Sequence, residues 1–397
     1  MTKFICALPW HHLMFQPDGS AYTCCAAKFL PDQENLLGKL PDDSIHQIWQ
    51  HPFLHKIRSE MLAGKVPQQC KNCALKEAGG MISDRITSNR KFELQLPLII
   101  EKNSADVTNE DLVSIDLRTS NVCNFACRTC SPVHSSKWIL DYALVTGKAW
   151  PIETATKSFQ TLAQAEATFR LANFKPERMF FAGGEPLLHR EHYTILEIIH
   201  ELNPKCRVEY VTNLSTLGMA GIDVVAMWNK FENVDLNISI DGIGALGEYI
   251  RDGQSWNQLE ANIARIRREA PHVTLGLIST VSNLSIASLI ETLDYCLNKL
   301  QLNHNVLLTP VIDPTIYSVT TLPLAIKEKL KEQIKTHLSG FTPDVQEQLK
   351  GVIGYMDNQD DSDQFKVFLR HNERLDYIRS QDFNKVSPLP QMIRELP

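Results

Sequence analysis

Three cysteines in a CxxxCxxC spacing, Cys123, Cys127 and Cys130, fall in the stretch SNVCNFACRTCSP directly after a strand-like run at residues 113–117. Three thiolates fill three corners of a four-iron cluster and leave one iron for a ligand that the protein does not supply. Such a loop belongs where α/β folds place their chemistry, beyond the carboxyl end of a strand. The sequence that follows alternates strand and helix patterns. Further strands are read at residues 178–181, 207–212, 235–240, 273–281 and 305–311, which with the first makes the six of a partial barrel.

Between these strands the apolar periodicity predicts helices, with Phe159, Leu162, Ala163 and Ala167 on one face, then segments at residues 191–202 and 286–300. Residues 101–110 (EKNSADVTNE) are polar and aperiodic and read as a linker. After about residue 314 the strand signal ends. Two stripes, Ile326, Leu330, Ile334 and Leu338, then Phe365, Phe368, Leu369 and Leu375, predict helices covering the open side or edge of the barrel. The expected fold class is therefore α/β: a partial (β/α)6 barrel over residues 106–312, preceded by a small cysteine-rich α+β module over 1–105 and followed by a helical extension over 313–397.

A net charge of -6 with both signs interspersed offers no basic stripe for nucleic acid, and no apolar run approaches the length of a membrane span. The apolar run in MTKFICALPWHH is cut short by Pro9, too early for a signal peptide. Ten cysteines in that setting point to the reducing cytoplasm, where close-spaced thiols bind metal more often than they form disulfides. Cys206 and Cys296 stand alone on apolar stripes and read as small buried residues. Five others, Cys6, Cys24, Cys25, Cys70 and Cys73, crowd the first 73 residues.

The cysteine loop is followed, at the end of the second predicted strand, by GGEP: Gly183, Gly184, Glu185 and Pro186. The two motifs in this order resemble the radical S-adenosylmethionine (SAM) superfamily over about residues 110–312. The resemblance implies a [4Fe-4S] cluster on Cys123, Cys127 and Cys130 whose fourth iron is chelated by the amino and carboxylate groups of SAM. Electron transfer from the reduced cluster then cleaves the sulfonium to a 5′-deoxyadenosyl radical, which abstracts a substrate hydrogen. It also implies that Gly183 and Gly184 let the backbone approach the methionine moiety, beside Glu185 and Pro186. Further positions resemble cofactor contacts of the family: Thr212 and Asn213 in YVTN, Ser239 and Asp241 in NISIDG, and Arg251 in EYIRDG, which would approach the cofactor carboxylate. Against these stand plain readings, a turn dipeptide at Asp241-Gly242 and a solvated charge at Arg251. Phe125 would shield the cluster or simply pack. The family commonly has an aromatic residue before the third cysteine; here it is Thr129, so adenine must be packed by other residues.

The N-terminal cysteines resemble the SPASM and twitch auxiliary-cluster domains of such enzymes: Cys6, a PDG turn at Gly19, Cys24, a helical stretch marked by Ile45, Ile48, Trp49, Leu54, Ile57 and Met61 with a break near Pro52, then the CxxC pair Cys70 and Cys73. These domains normally follow the barrel, whereas this one precedes it. The absence of further cysteines suits the shorter twitch form, and the glycine-to-cysteine spacing selects Cys24 over Cys25. The resemblance implies an auxiliary [4Fe-4S] cluster near the substrate side of the barrel. By chemistry alone, four thiolates with one CxxC suit tetrahedral zinc equally well.

The expected function is reductive cleavage of SAM and hydrogen abstraction from a peptide, as in many relatives carrying the auxiliary module. Modification of a sugar, nucleotide or other small metabolite is one alternative; a non-catalytic iron-sulfur or zinc protein for electron transfer or docking is another. A flavodoxin or ferredoxin is the expected reductant. In SPVHSSKW (residues 131–138), His134 and Lys137 are candidate acid or base, set against a solvated loop with Trp138 turned inward.

Overall fold

The computed structural model describes residues 4–27, 34–78, 82–151, 155–172 and 174–395, so the first three residues of MTKFICALPWHH lie outside it. The chain forms two compact units, one of residues 1–121, 156–210 and 218–234, the other of residues 122–155, 211–217 and 235–397.

In the first unit three predicted strands, Ser114–Leu117, Arg178–Phe181 and the Arg207–Thr212 strand up to Tyr210, lie side by side and parallel. A strand absent from the sequence reading, His12–Phe15, extends them: it runs parallel to Ser114–Leu117 with Met14 level with Asp116. It then turns back through antiparallel Ser20–Tyr22 and Gly38–Lys39. The N-terminal module thus contributes its own strands to the sheet of this unit.

Register fixes the character of the two sheet faces, because paired residues share a face and neighbours along a strand alternate. One face carries Leu13, Phe15, Ile115, Leu117, Met179, Phe181, Val208 and Tyr210, each at most 1% exposed. The other carries His12, Ser114 and Arg178 in one row and Met14, Asp116, Phe180 and Glu209 in the next.

Helix Arg190–Leu202 follows its predicted pattern and buries Tyr193, Ile195, Leu196, Ile198 and Ile199. Helix Leu162–Leu171 departs from it. Its buried residues are Ala165 and Phe169, while Ala163 and Ala167 face solvent. The capping box of Thr161 and Gln164 starts the helix there and sets its phase, which an alanine-rich segment with little apolar contrast does not reveal. Helices Ile45–Trp49 and Pro52–Leu62 divide at Pro52 as expected. The expected linker is less free than its polarity suggests: helix Gln95–Lys102 runs into it, and the carbonyls of Ser104, Ala105 and Thr108 accept from Trp10, Arg58 and Trp49 at 2.9, 3.1 and 2.8 Å.

In the second unit Val234–Ser239, Thr274–Val281 and Val306–Pro310 are parallel, and the six predicted strands of the chain all form, within a residue at each end. Parallel strands alternating with helices give the mixed α/β architecture of a partial barrel. The tail is helical as predicted: Leu324–His337 buries Ile326, Leu330 and Ile334, and Phe365–Arg379 buries Phe365, Phe368 and Leu375. Leu338 lies past the end of its helix, and Leu369 is 36% exposed. Gln348, on helix Pro343–Asn358, accepts from Leu308 N–H at 2.7 Å and donates to Val306 carbonyl at 2.6 Å. One side chain thereby satisfies both backbone polarities of an edge strand that water would otherwise have to cover.

Candidate functional site

The CxxxCxxC loop lies wholly in the second unit and is held by its backbone. Ala126–Cys127 forms a two-residue antiparallel ladder with Arg251–Asp252, Cys127 level with Arg251. Arg128 N–H donates to Ile250 carbonyl at 2.7 Å, and Cys130 N–H to Cys127 carbonyl at 2.9 Å. Trp138 Nε1 donates to that same Cys127 oxygen at 2.6 Å, and Ser135 Oγ to Phe125 carbonyl at 2.6 Å. Trp138 is therefore turned inward, as the plain reading of SPVHSSKW had it.

The predicted cofactor residues of this unit converge on the loop. Asn213 Nδ2 donates to Asn124 Oδ1 at 3.0 Å and lies 3.9 Å from Cys123 Sγ, while Phe125 N–H points at the same sulfur from 3.4 Å. Thr212 Oγ1 accepts from Leu214 N–H at 2.9 Å, holding the turn that presents Asn213. Arg251 reaches from beside Cys127 to Asp241 Oδ2 at 2.8 Å, and the other Asp241 oxygen accepts Thr280 N–H at 2.7 Å. Arg251, its side chain 11% exposed, is thus ion-paired and mostly shielded from water, which rules out the solvated-charge reading. Although burial opposes its charge, Cys127 and Asp241 hold it firmly protonated. Phe125, 1% exposed, sits with its ring 6.0 Å from the Arg251 guanidinium. Ser239 ends its strand opposite Ile278.

Two residues that the sequence reading passed over belong here. Gln254 is buried with neither amide atom bonded among the described residues. Arg128, 0% exposed, is enclosed by Tyr249 and the C-terminal helices. A polar residue in a loop gives no sequence signal of its partners, and those of Arg128 lie about 120 to 250 positions away.

In the first unit the GGEP turn is tight. Gly183 has φ +117°, and a Cβ there would come within 2.8 Å of Ser120 carbonyl, which also accepts Gly184 N–H at 2.9 Å. Only glycine fits that conformation and approach. Glu185, 1% exposed, accepts from Leu187 N–H at 3.2 Å, and Pro186 opens the turn Pro186–Leu188.

The N-terminal cysteines also meet. Cys24 is close enough to Cys25, Cys6 and Cys70 for their thiolates to repel one another, and Cys70 likewise to Cys6 and Cys73. Cys25 is exposed and lies beside Asp116 and Arg118. The Asp18-Gly19 turn makes this possible: Gly19, at φ +87°, packs so closely that a Cβ would stand 2.2 Å from Leu40 carbonyl. Arg85, paired with Glu77 and donating to Ile5 carbonyl at 2.9 Å, ties the segment after the CxxC pair to the chain beside Cys6.

Burial raises the thiols of Cys24, Cys70, Cys73, Cys127 and Cys130, and pushes Cys6 up to about 12. Thiolates in such surroundings need a strong positive partner, which a metal centre supplies. Among the described residues no three side chains of Cys, His, Asp or Glu already converge on the spacing of a single ion. Cysteine thiolates are the donors of iron-sulfur clusters, so both sets suit one by the chemistry of their side chains. The buried Arg251 Nε beside Cys127, without a partner among the described residues, likewise fits a carboxylate-bearing ligand.

Residues 117–296 match the Radical SAM superfamily, and residues 6–74 match SPASM, an iron-sulfur cluster-binding domain. Residues 117–296 form a radical SAM domain, and residues 6–74 an N-terminal SPASM domain. The cofactors of these two domains are SAM with its [4Fe-4S] cluster and an auxiliary iron-sulfur cluster. Two relatives are named GTP 3',8-cyclase: that of Cronobacter sakazakii (strain ATCC BAA-894) is 29% identical over 149 residues, 37% of this chain and 40% of the relative. That of Pasteurella multocida (strain Pm70) is 28% identical over 130 residues, 32% of this chain and 33% of the relative. This chain therefore spans well under half the length of the curated relatives it matches. Similar solved structures include anSMEcpe with bound AdoMet (TM-score 0.40, 16% identity, 57% of this chain and 60% of that one). Streptococcus suis SuiB bound to S-adenosylmethionine is another (TM-score 0.35, 10% identity, 72% and 62%). No helix among the described residues is long and apolar enough to cross a membrane.

Proposed function

We propose that the chain is a radical SAM enzyme in which Cys123, Cys127 and Cys130 hold the SAM-binding cluster and Cys6, Cys24, Cys70 and Cys73 the auxiliary one. The observation that carries this reading is the ladder that sets Arg251, a mostly shielded and permanently charged guanidinium whose Nε has no partner among the described residues, level with Cys127. When bound, the cluster and SAM supply a 5′-deoxyadenosyl radical that takes a substrate hydrogen. Everything else falls to the chain. Arg251, oriented by Asp241, binds the SAM carboxylate. Gly183 and Gly184 leave room for the methionine backbone, with Glu185 and Pro186 shaping that turn. Thr212, Asn213, Ser239 and Gln254 meet the polar edges of the cofactor, and the Asn213 N–H near Cys123 Sγ favours the thiolate. Phe125 keeps water from the loop.

The substrate we infer is a peptide, handled with the help of the SPASM cluster. Its support is the charged sheet face: Asp116 pairs with Arg118 at 3.0 Å, Glu209 with Lys91 at 2.6 Å and with Arg178, and His12 Nδ1 meets Ser114 Oγ at 2.8 Å. Charged and hydrogen-bonding side chains on one sheet face suit a substrate with amide and charged groups better than an apolar one. A nucleotide is the competing substrate class, favoured by the activity for which the two cyclases are named. A flavodoxin or ferredoxin in the cytoplasm would deliver the electron. Residues 1–105, 106–312 and 313–397 are the proposed auxiliary, barrel and helical divisions.

The test is anaerobic, dithionite-reduced protein incubated with SAM. Release of 5′-deoxyadenosine that stops with Cys123→Ala, Cys127→Ala or Cys130→Ala supports the reading, and no release from fully iron-loaded protein overturns it. Peptide and nucleotide pools deuterated at carbon separate the two substrate classes by which one transfers deuterium to 5′-deoxyadenosine.

A further inference from the structure

Arg128 stands between the second and third cysteines of the loop, yet its side chain turns away from solvent and is 0% exposed. All its donors are used. Nε donates to Tyr249 carbonyl at 3.2 Å; Nη1 to Asn372 Oδ1 at 2.8 Å and, more weakly, to Asn372 carbonyl at 3.5 Å; Nη2 to Asp376 Oδ1 at 2.5 Å and Gln381 Oε1 at 2.6 Å. The guanidinium lies 3.8 Å from the Tyr249 ring centre. Four of the five acceptors are thus in residues 372–381, at the end of helix Phe365–Arg379 and just beyond it.

The partners are themselves bound to one another and to the strand opposite the loop. Tyr249 Oη donates to Asp376 Oδ1 at 2.7 Å and accepts from Asn372 Nδ2 at 2.7 Å. Asp376 Oδ2 accepts Phe383 N–H at 3.0 Å, and Gln381 Nε2 donates to Asp252 Oδ1 at 3.0 Å. Asp252 and Arg251 form the strand paired with Ala126–Cys127. Arg379, one turn from Asp376, pairs with Asp141 at 2.7 Å and lies 5.0 Å over the ring of Trp138, whose Nε1 holds the Cys127 carbonyl. Helix Phe365–Arg379 and the residues just beyond it therefore hold both strands of the short ladder.

We propose that Arg128 is a positioning residue, and that the segment from Asn372 to Phe383 is a clasp which sets Cys127 against Arg251 and so fixes how the loop presents its cluster to SAM. The tail is then a working part of the SAM site rather than a cover for the sheet alone. Lysine cannot replace the arginine, because a single ammonium cannot reach acceptors spread over three sides of a planar fork. The proposal rests on the radical SAM reading for its consequence, though not for its geometry.

The experiment compares the full chain with Arg128→Lys, Arg128→Met, Asp376→Asn and Asn372→Ala, with Arg370→Ala, an exposed position on the same helix, as control. Hydrogen exchange on metal-free protein should show the amides of residues 125–130 opening about tenfold faster in the first four variants and unchanged in the control. In reconstituted protein, iron content should hold while the KM for SAM rises about tenfold with a smaller fall in kcat for 5′-deoxyadenosine, and the SAM-induced change in the EPR spectrum of the reduced cluster should weaken. Wild-type exchange and wild-type KM in all four variants overturn the clasp, as does a loss of activity that only follows lost iron. Where Arg128→Met fails to fold, the milder Asp376→Asn and Asn372→Ala decide by the same two readouts. Failure of wild type to cleave SAM would remove the enzymatic reading while leaving the exchange result to stand or fall by itself.

Discussion

Cys123, Cys127 and Cys130 sit within eight residues of chain, whereas Cys6, Cys24, Cys70 and Cys73 are gathered from a buried N-terminal segment, a hairpin end and a helix start. The first set is defined by spacing and then locked by remote parts of its unit: the Arg251–Asp252 strand, Asn213 and the C-terminal helix. The second set exists only because the fold brings its pieces together, through the Gly19 turn, the helices Ile45–Trp49 and Pro52–Leu62, and Arg85. A compact motif can be read without its surroundings, but its performance depends on them; a dispersed set depends on them even to form.

The sharpest way to break the comparison is to remove one cysteine from each. Cys127→Ala should reduce 5′-deoxyadenosine formation to background, since without that loop no SAM is activated. Cys70→Ala should leave SAM cleavage measurable while abolishing turnover of the substrate. Iron and sulfide analysis should give roughly eight irons in the intact protein and about four in either variant. If Cys70→Ala also ends SAM cleavage in protein that retains about four irons, the division of labour between the two sets is wrong.

Within the dispersed set, Cys24 and Cys25 are adjacent and differ in surroundings: Cys24 lies near the thiols of Cys25, Cys6 and Cys70, and Cys25 near Asp116, Arg118 and Asp84. Cys24→Ser should lose the auxiliary iron, and Cys25→Ser should keep it, as read by metal analysis on anaerobic protein. Equal loss in both would mean that the hairpin end does not select between them.

Much of this was legible beforehand, and the limits have physical causes. The six strands were visible because alternation and β-branched runs survive in the sequence. His12–Phe15 was not, because four residues before a turn are too few for a period to show and its pairing with Ser114–Leu117 is set about 100 positions away. The proposed cofactor contacts at Asn213, Asp241 and Arg251 rest on motif resemblance, and whether Arg251 is solvated or ion-paired needs the Asp241 carboxylate in place. Arg128 and Gln254 carried no signal at all. Their importance lies in partners, present or missing, that only folding supplies.

Gly19 measures how far the dispersed set relies on backbone conformation. A methyl group there meets Leu40 carbonyl at 2.2 Å on a backbone at φ +87°, so Gly19→Ala combines a clash with a strained torsion. A loss of about 2–3 kcal/mol is expected. Chemical denaturation of metal-free protein should show it, with lower auxiliary iron on reconstitution and little change in the cluster held by Cys123, Cys127 and Cys130. Uniform loss of both clusters would mean that the turn supports the whole protein rather than one set.

The change with the least bearing on activity separates packing from chemistry altogether. His192 is buried against Phe181 and Tyr210, its Nε2 2.8 Å from Tyr210 Oη and its Nδ1 without a partner among the described residues. Burial, helped by the nearby His189, pushes its pKa down to about 3. Unfolding exposes the ring and restores its ordinary value near 6.5, so between about pH 6.5 and pH 3 the unfolded chain takes up a proton that the folded one refuses. Stability is present above pH 6.5 and drains as pH falls through that window, at up to roughly 1.4 kcal/mol per pH unit. His192→Phe removes the titrating group and keeps an aromatic ring, so the melting temperature of metal-free protein should fall less steeply from pH 6.5 to 4 than in wild type. Because His192 packs on the apolar face of the first sheet, SAM cleavage at pH 7.5 should be unchanged; a pH profile of stability identical to wild type would show that the ring is already solvated in the native state.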